Sequence, residues 1–307
     1  MRHYIGIDGG GTNSRLLCVD EHQKQIGDIV YGGGTNIASN SCDYVKDNLH
    51  RLLDGFYAKT SLSRQDCLGV CIGSAGVDSS MHVKMMQKSI RGLGYECKIV
   101  VVNDGLLPLA NYVDKGKLGI VLISGTGSIA YGMDKMGNTI RVGGWGHILD
   151  DGGSGYWIAI QALHCAFCAY DGRGKPTVLT DMLLSHFGIQ DLADCIGTVY
   201  GEYSKDKSKV AQLSRLVMQG ALQGDTICND ILVQAAKQLS ILATSLLRRL
   251  NTQDANVVVN GGNILGNYIL MDNFVKTIQE SYPAVNVIKA QKDPVWGAIA
   301  LLQYQQG

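Results

Sequence analysis

The chain has 307 residues, 46% of them hydrophobic, with 27 basic side chains balancing 27 acidic ones. Such a length exceeds what one hydrophobic core usually serves, so two domains of roughly 150 residues are expected and a disordered chain is excluded. Zero net charge removes the broad field that nucleic-acid binders and polybasic membrane-surface proteins use, so neither is an expected partner class.

In chain order, residues 4–8, 15–20 and 25–31 read as three short strands, the first two joined by Gly9, Gly10 and Gly11. Residues 41–59 carry Val45, Leu49, Leu52, Leu53 and Phe56 at helical spacing behind a Ser41 cap. Strands at 67–73 and 97–102 flank a helix at 80–93, and Asp104 follows the second strand. The pattern then restarts: a strand at 118–124, a turn at Gly125, Thr126 and Gly127, and strands at 128–133 and 139–142. Lys115, Gly116 and Lys117 mark the expected boundary, giving domains 1–115 and 116–292, with a last helix at 293–307 packing back on the first. The two halves form a weak internal repeat of supersecondary structure. Helices follow at 155–170, 176–187 and 226–250, with a core strand at 256–259 and a helix at 267–279. The last helix opens at Asp293 and Pro294, a cap followed by first-turn proline.

The 39 glycines have no three-residue period and little proline beside them, so they must serve special backbone positions. Asp8-Gly9-Gly10-Gly11-Thr12-Asn13 lies between two strands. Glycines there let backbone N–H groups converge on a phosphate, Thr12 adds a hydroxyl, and Asp8 could hold Mg²⁺ through water. An ordinary hairpin turn is the plainer reading. Ser124-Gly125-Thr126-Gly127-Ser128 repeats the chemistry in the second half, and two matched clusters suit phosphates clamped in an interdomain cleft. Neither fits the Walker pattern or the dinucleotide fingerprint. Asn260-Gly261-Gly262-Asn263 could lie flat against a base or ribose, or merely turn a strand into a helix.

Together, in this order, these clusters resemble the phosphate-1, phosphate-2 and adenosine motifs of the sugar kinase, heat-shock protein and actin superfamily. Gly143-Gly144-Trp145-Gly146-His147, followed by Asp151-Gly152-Gly153-Ser154-Gly155-Tyr156-Trp157-Ile158, is more specific. It resembles the N-acetylglucosamine kinase branch, a group known as BadF-type ATPases. Asn103-Asp104-Gly105 and Asp293-Pro294-Val295-Trp296-Gly297-Ala298 also match, so the resemblance spans residues 6–302.

The resemblance implies an α/β fold of two actin-like (ribonuclease H-like) domains, each a mixed sheet flanked by helices, with a cleft between them. It implies ATP and Mg²⁺ as cofactors and a homodimer. Asp104 falls on the catalytic carboxylate, a general base worth about 10²- to 10⁴-fold; the plainer reading is an N-cap for a helix at 106–112. Gly10, Gly11, Thr12, Asn13, Gly125, Thr126, Gly127, Gly261, Gly262 and Asn263 fall on nucleotide positions, and Asp8 on the metal-linked one. Asn36, Asp104, Ser128, Gly144, Trp145, Gly146 and Asp151 fall on the sugar site. An indole with a few directed polar groups suits a pyranose, which has an apolar face and a rim of hydroxyls. One departure stands out: the family's Gly-Asp-Glu-Gly-Ser reads Asp150-Asp151-Gly152-Gly153-Ser154 here. Adjacent carboxylates repel, and recognition of the substrate's 2-substituent is the property this touches.

The expected activity is therefore ATP-dependent phosphorylation of an amino sugar, first among them N-acetylglucosamine to its 6-phosphate. Glucosamine and N-acetylmuramic acid are alternatives, and an ATPase driving electron transfer through an iron–sulfur cluster is the rival from another class. Cys165 and Cys168 have a CxxC spacing but sit in an apolar helical pattern, which favours plain thiols. His147 reads as a loop residue, and 204–209 as a solvated connection. No segment approaches the roughly 18–20 uninterrupted apolar residues of a bilayer span. The chain reaches Asp8 before any signal-length apolar core forms. With nine cysteines lacking framework spacing, a reduced, cytoplasmic protein is expected.

Overall fold

The computed structural model describes residues 1–114 and 116–304; Lys115, the expected boundary, and the end of the expected last helix at 305–307 lie outside it. The chain divides into two compact units. One comprises Met1–Lys117, Asp134–Asn138 and Gln291–Gly307, the other Leu118–Met133 and Thr139–Ala290.

The first unit is built on β1 (His3–Gly9), β2 (Asn13–Asp20), β3 (Val30–Gly33), β4 (Cys67–Ser74) and β5 (Lys98–Val102). They form one sheet in the order β3-β2-β1-β4-β5. β1, β2 and β3 pair antiparallel, whereas β4 and β5 run parallel to β1. Ile5 and Ile7 are buried on one face with Leu49, Leu53 and Phe56 of α1 (Cys42–Tyr57). Leu17 and Val19 are buried on the other, against Val295 and Ile299 of the last helix, Val295–Tyr304. Ser41 caps α1 as expected, its hydroxyl accepting from the Tyr44 N–H at 3.3 Å. α2 (Ser80–Arg91) joins β4 to β5, and α3 (Leu107–Ala110) follows β5.

Two expectations fail here. The strand expected at 25–31 keeps only one bridge, Gln25 to Val19, before Gly27 turns at φ +70°; the strand proper starts at Val30. The helix expected at 106–112 is a 3-10 turn, Asp104–Leu106, leading into α3, and its cap is Asn103 instead of Asp104. The Asn103 side-chain oxygen accepts from the Gly105 N–H at 2.9 Å.

The second unit repeats the sheet. β6 (Gly119–Ser124), β7 (Ser128–Met133), β8 (Thr139–Gly143), β9 (Asn256–Asn260) and β10 (Asn286–Lys289) take the order β8-β7-β6-β9-β10. Strand for strand, the antiparallel and parallel pairings match those of the first unit. Eight helices surround it: α4 (Gly155–Tyr170), α5 (Leu179–Phe187), α6 (Cys195–Gly201), α7 (Lys207–Gln212), α8 (Ser214–Leu222), α9 (Thr226–Arg249), α10 (Gly262–Leu265) and α11 (Tyr268–Ser281). The connection expected at 204–209 is instead a 3-10 turn and α7, whose first N–H groups are capped by Asp206. Its sequence shows only Val210 and Ala211 as a buried face, too little to signal a helix. The helix expected at 267–279 is α11 with Asn267 as its cap, and α10 precedes it. Among the described residues, no helix is long and apolar enough to cross a membrane.

α4 begins where a fully buried Ser154 accepts the Trp157 N–H at 3.1 Å. Ser154→Ala is expected to cost about 1 kcal/mol of stability, the usual value of a lost N-cap. A thermal melt unchanged by this substitution would show that the cap contributes nothing.

Candidate active site

In the first unit the glycine hairpin links β1 to β2 and is tied at its base. Gly10 N–H donates to Asn13 O at 2.9 Å, Thr35 N–H to Gly10 O at 3.1 Å, and Ala75 N–H to Gly9 O at 2.8 Å. The tip residues Gly11, Thr12 and Asn13 are exposed. Asp8, at the end of β1, lies directly opposite Arg15 on β2. The Arg15 guanidinium bonds the Asp8 carboxylate and, at 3.0 Å, that of Asp293. Burial nevertheless raises the Asp8 carboxyl above its ordinary range, outweighing Arg15.

Asp104 sits just past β5 in the same unit. Its carboxyl is pushed up to about 6, first by burial and second by the Asp8 charge; the N–H groups of Gly105 and Asp104 pull the other way. A carboxylate titrating there can hold a proton briefly and still be ionised at neutral pH, as a general base requires. Asn36 accepts the Ala38 N–H on its side-chain oxygen at 2.9 Å, which fixes the amide; its NH₂ group and the second oxygen lone pair are what a ligand could meet.

Asp8 and Asp104 supply oxygen donors alone, which suits a hard cation such as Mg²⁺. Among the described residues no group of three His, Cys, Asp or Glu converges to hold a metal by itself. An ion at Asp8 would therefore complete its shell with water and phosphate oxygens, the usual habit of Mg²⁺.

The second unit gathers its expected residues closely. Gly125 and Thr126 carbonyls accept from the first N–H groups of α4, Gly155 at 2.8 Å and Tyr156 at 3.2 Å. Asn263 donates to Ser124 Oγ at 3.0 Å and to Gly153 O at 3.3 Å, linking the hairpin to the loop ahead of α4. Gly261 turns at φ +103°, and a Cβ there would fall inside the Ser124 backbone, so only glycine fits. Beside these lies a cavity of about 610 Å³, lined by Gly125, Thr126, Gly262 and Asn263 and also by Gln212 and Arg215. That volume suits a nucleoside.

Among the residues expected to meet the sugar, the Ser128 N–H donates to Asp151 Oδ1 at 3.2 Å and the Ser128 hydroxyl to Gly152 O at 2.9 Å. Asp151 is 4% exposed and holds φ +66°, rare for a residue with a side chain. Burial, then the neighbouring Asp150 charge, raises its carboxyl. Asp150 accepts the Trp145 N–H at 3.4 Å, so the additional acid braces the loop. Where Gly152 lacks a side chain, Gln238 of α9 stands 2.9 Å from the position a Cβ would take. Gly144 turns at φ +72°, and a Cβ there would run into Ile129 Cδ1, so the loop takes no side chain at this point. Trp145 and Gly146 follow on an outward loop. His147 packs on Tyr156 at 4.7 Å between ring centres. Cys165 and Cys168 are half-buried on α4, Cys168 Sγ lying 3.6 Å from His164 Nε2.

Sequence reasoning missed several participants. Arg15 was legible once the hairpin register was fixed, since cross-strand partners follow from it. Asp293 was read as a cap, and it accepts the Val295 N–H at 3.0 Å, but its pairing with Arg15, 278 positions away, was not legible. Gln212 and Arg215 went unseen because α7 and α8 were not expected.

Comparison with known proteins is consistent along the whole chain. Residues 5–302 match the model of the BadF/BadG/BcrA/BcrD ATPase family. An N-acetylmuramic acid/N-acetylglucosamine kinase of Clostridium acetobutylicum is 36% identical over 303 residues, 98% of each chain. An N-acetyl-D-glucosamine kinase of Dictyostelium discoideum is 33% identical over 97% of each. The crystal structure of a candidate N-acetylglucosamine kinase from Chromobacterium violaceum superimposes with TM-score 0.73 over 99% of each chain, at 23% identity, and so shares the fold. The chain belongs to the BadF/BadG/BcrA/BcrD ATPase family.

Proposed function

We propose that the protein is an ATP-dependent amino sugar kinase, converting N-acetylglucosamine to N-acetylglucosamine 6-phosphate. The observation that carries this reading is full-length similarity, above 30% identity, to two relatives whose names are amino sugar kinases. The adenosine of ATP would occupy the cavity beside Asn263, with its phosphates against Thr126 and the Gly10, Gly11 and Thr12 backbone. Asp104 would take the proton from the sugar's 6-hydroxyl as the terminal phosphoryl group transfers. Asp8 would hold Mg²⁺ through water, and the ion would supply the charge neutralisation that phosphoryl transfer needs. Ser128, Asp151, Asn36 and Trp145 would orient the pyranose. Positioning and charge stabilisation then carry the catalysis, which is general for phosphoryl transfer. A cytoplasmic homodimer that engages no nucleic acid completes the reading.

A coupled ADP-release assay over a panel of amino sugars tests it. N-acetylglucosamine should give the largest kcat/KM, ahead of N-acetylmuramic acid and glucosamine. A site that hydrogen-bonds the acetamide can reject the free amine by about 10⁴-fold. Turnover that no amino sugar stimulates would overturn the kinase reading, and preference for glucosamine would overturn the choice of substrate.

A further inference from the structure

Trp145 is 64% exposed on a loop whose flanking glycines, 143, 144 and 146, all turn at positive φ. Left alone, an indole on such a backbone has many orientations, and ordering one rotamer-rich side chain on binding costs about 0.5–1.5 kcal/mol. The structure does not leave it alone. Arg141, on β8, donates from Nε to Gly143 O at 3.0 Å and from Nη2 to Gly144 O at 2.5 Å. The same guanidinium lies over the Trp145 ring, 4.3 Å from its centre. Arg141 is itself anchored, its carbonyl accepting from Arg249 Nη1 of α9 at 3.2 Å.

We infer that Arg141 is a positioning residue for the sugar: it fixes the Trp145 indole so that the ring meets the pyranose already oriented. The planar fork meets two successive carbonyls in a fixed geometry while its face stacks on the ring; a lysine ammonium has donors for carbonyls but neither the rigid fork nor the stacking plane. Its cation–π contact covers one indole face. The other face is left for a ligand with an apolar side, and a pyranose offers one through its axial C–H groups. The inference rests on the proposed amino sugar kinase activity and deepens it. Arg141 touches the loop and the ring; it acts on the sugar through them.

Arg141→Met keeps the apolar stem and removes fork and charge, while Arg141→Lys keeps the charge alone. Both variants are expected to raise the KM for N-acetylglucosamine by roughly tenfold, the sum of a lost cation–π contact and a newly imposed ordering cost. The KM for ATP, whose expected cavity lies in the same unit, should stay within about twofold and serves as the control for folding. Sugar-induced change in tryptophan fluorescence, assigned to Trp145 by its absence in Trp145→Phe, should shrink in both variants at saturating sugar. Recovery of the sugar KM by Arg141→Lys would mean that charge alone matters and would overturn the fork. A loss confined to N-acetylmuramic acid, whose lactyl carboxylate could pair with a guanidinium, would make Arg141 a direct contact and overturn the positioning role. If the wild-type protein turns over no amino sugar, the kinase reading itself has failed. An unchanged sugar KM in an active Arg141→Met enzyme defeats this inference alone.

Discussion

Asp104→Asn is expected to lower phosphoryl transfer by about 10²- to 10⁴-fold, the usual worth of a general base, while ATP still binds. The same substitution should make the protein more stable at pH 8. The folded-state carboxyl titrates near 6, above the ordinary 3.8. Its proton is thus held more tightly in the folded chain than in the unfolded one. The stability this contributes is fully present below about pH 4 and is lost as pH rises through about 6. Asparagine carries no charge to bury, and its oxygen can still accept from Gly105. A gain of about 1–2 kcal/mol at pH 8, vanishing near pH 4, is the expected result after allowance for partial exposure. In the wild type, kcat/KM should fall about tenfold per pH unit below that pKa. A variant that loses both ATP affinity and stability would mean that Asp104 serves the fold instead.

The second large effect is expected at Gly261. Its φ of +103° is open to glycine alone, and an added Cβ would land on the Ser124 backbone, which heads the second hairpin. Neither can yield without moving β6. Gly261→Ala should cost roughly 3 kcal/mol or more and weaken ATP binding with it. Gly262 is the internal control, for nothing lies within 4 Å of the position its Cβ would take. Gly262→Ala should be nearly neutral in urea unfolding. Equal midpoints for the two variants would refute the steric account.

Much of this was legible in the sequence, and the reasons are physical. Strand–glycine–strand units signal themselves because a tight hairpin demands residues without Cβ, and β1–β2 and β6–β7 fell where expected. α4 and α9 carry long apolar faces, and both were found nearly to the residue. The failures share a cause. α7 is six residues long and polar on most sides, so its existence depends on the Asp206 cap and on what it packs against. β10 shows no burial alternation, because it sits at a sheet edge. Asn103 took the cap expected of Asp104: both can cap, and only the fold decides which faces the turn. In the candidate site, the glycine motifs were readable as turns between strands or ahead of helices. Arg141 and Gln238 were not, because they act on those motifs from outside.

The last helix has a consequence for how the chain is made. Leu17 and Val19 leave the ribosome long before Val295 and Ile299, which cover them. At roughly 5–20 residues per second that wait is on the order of tens of seconds. The second unit, by contrast, is complete once residue 290 has emerged. Until Val295 and Ile299 emerge, the first unit therefore carries an uncovered apolar sheet face. The half that is made first is the half that finishes folding last.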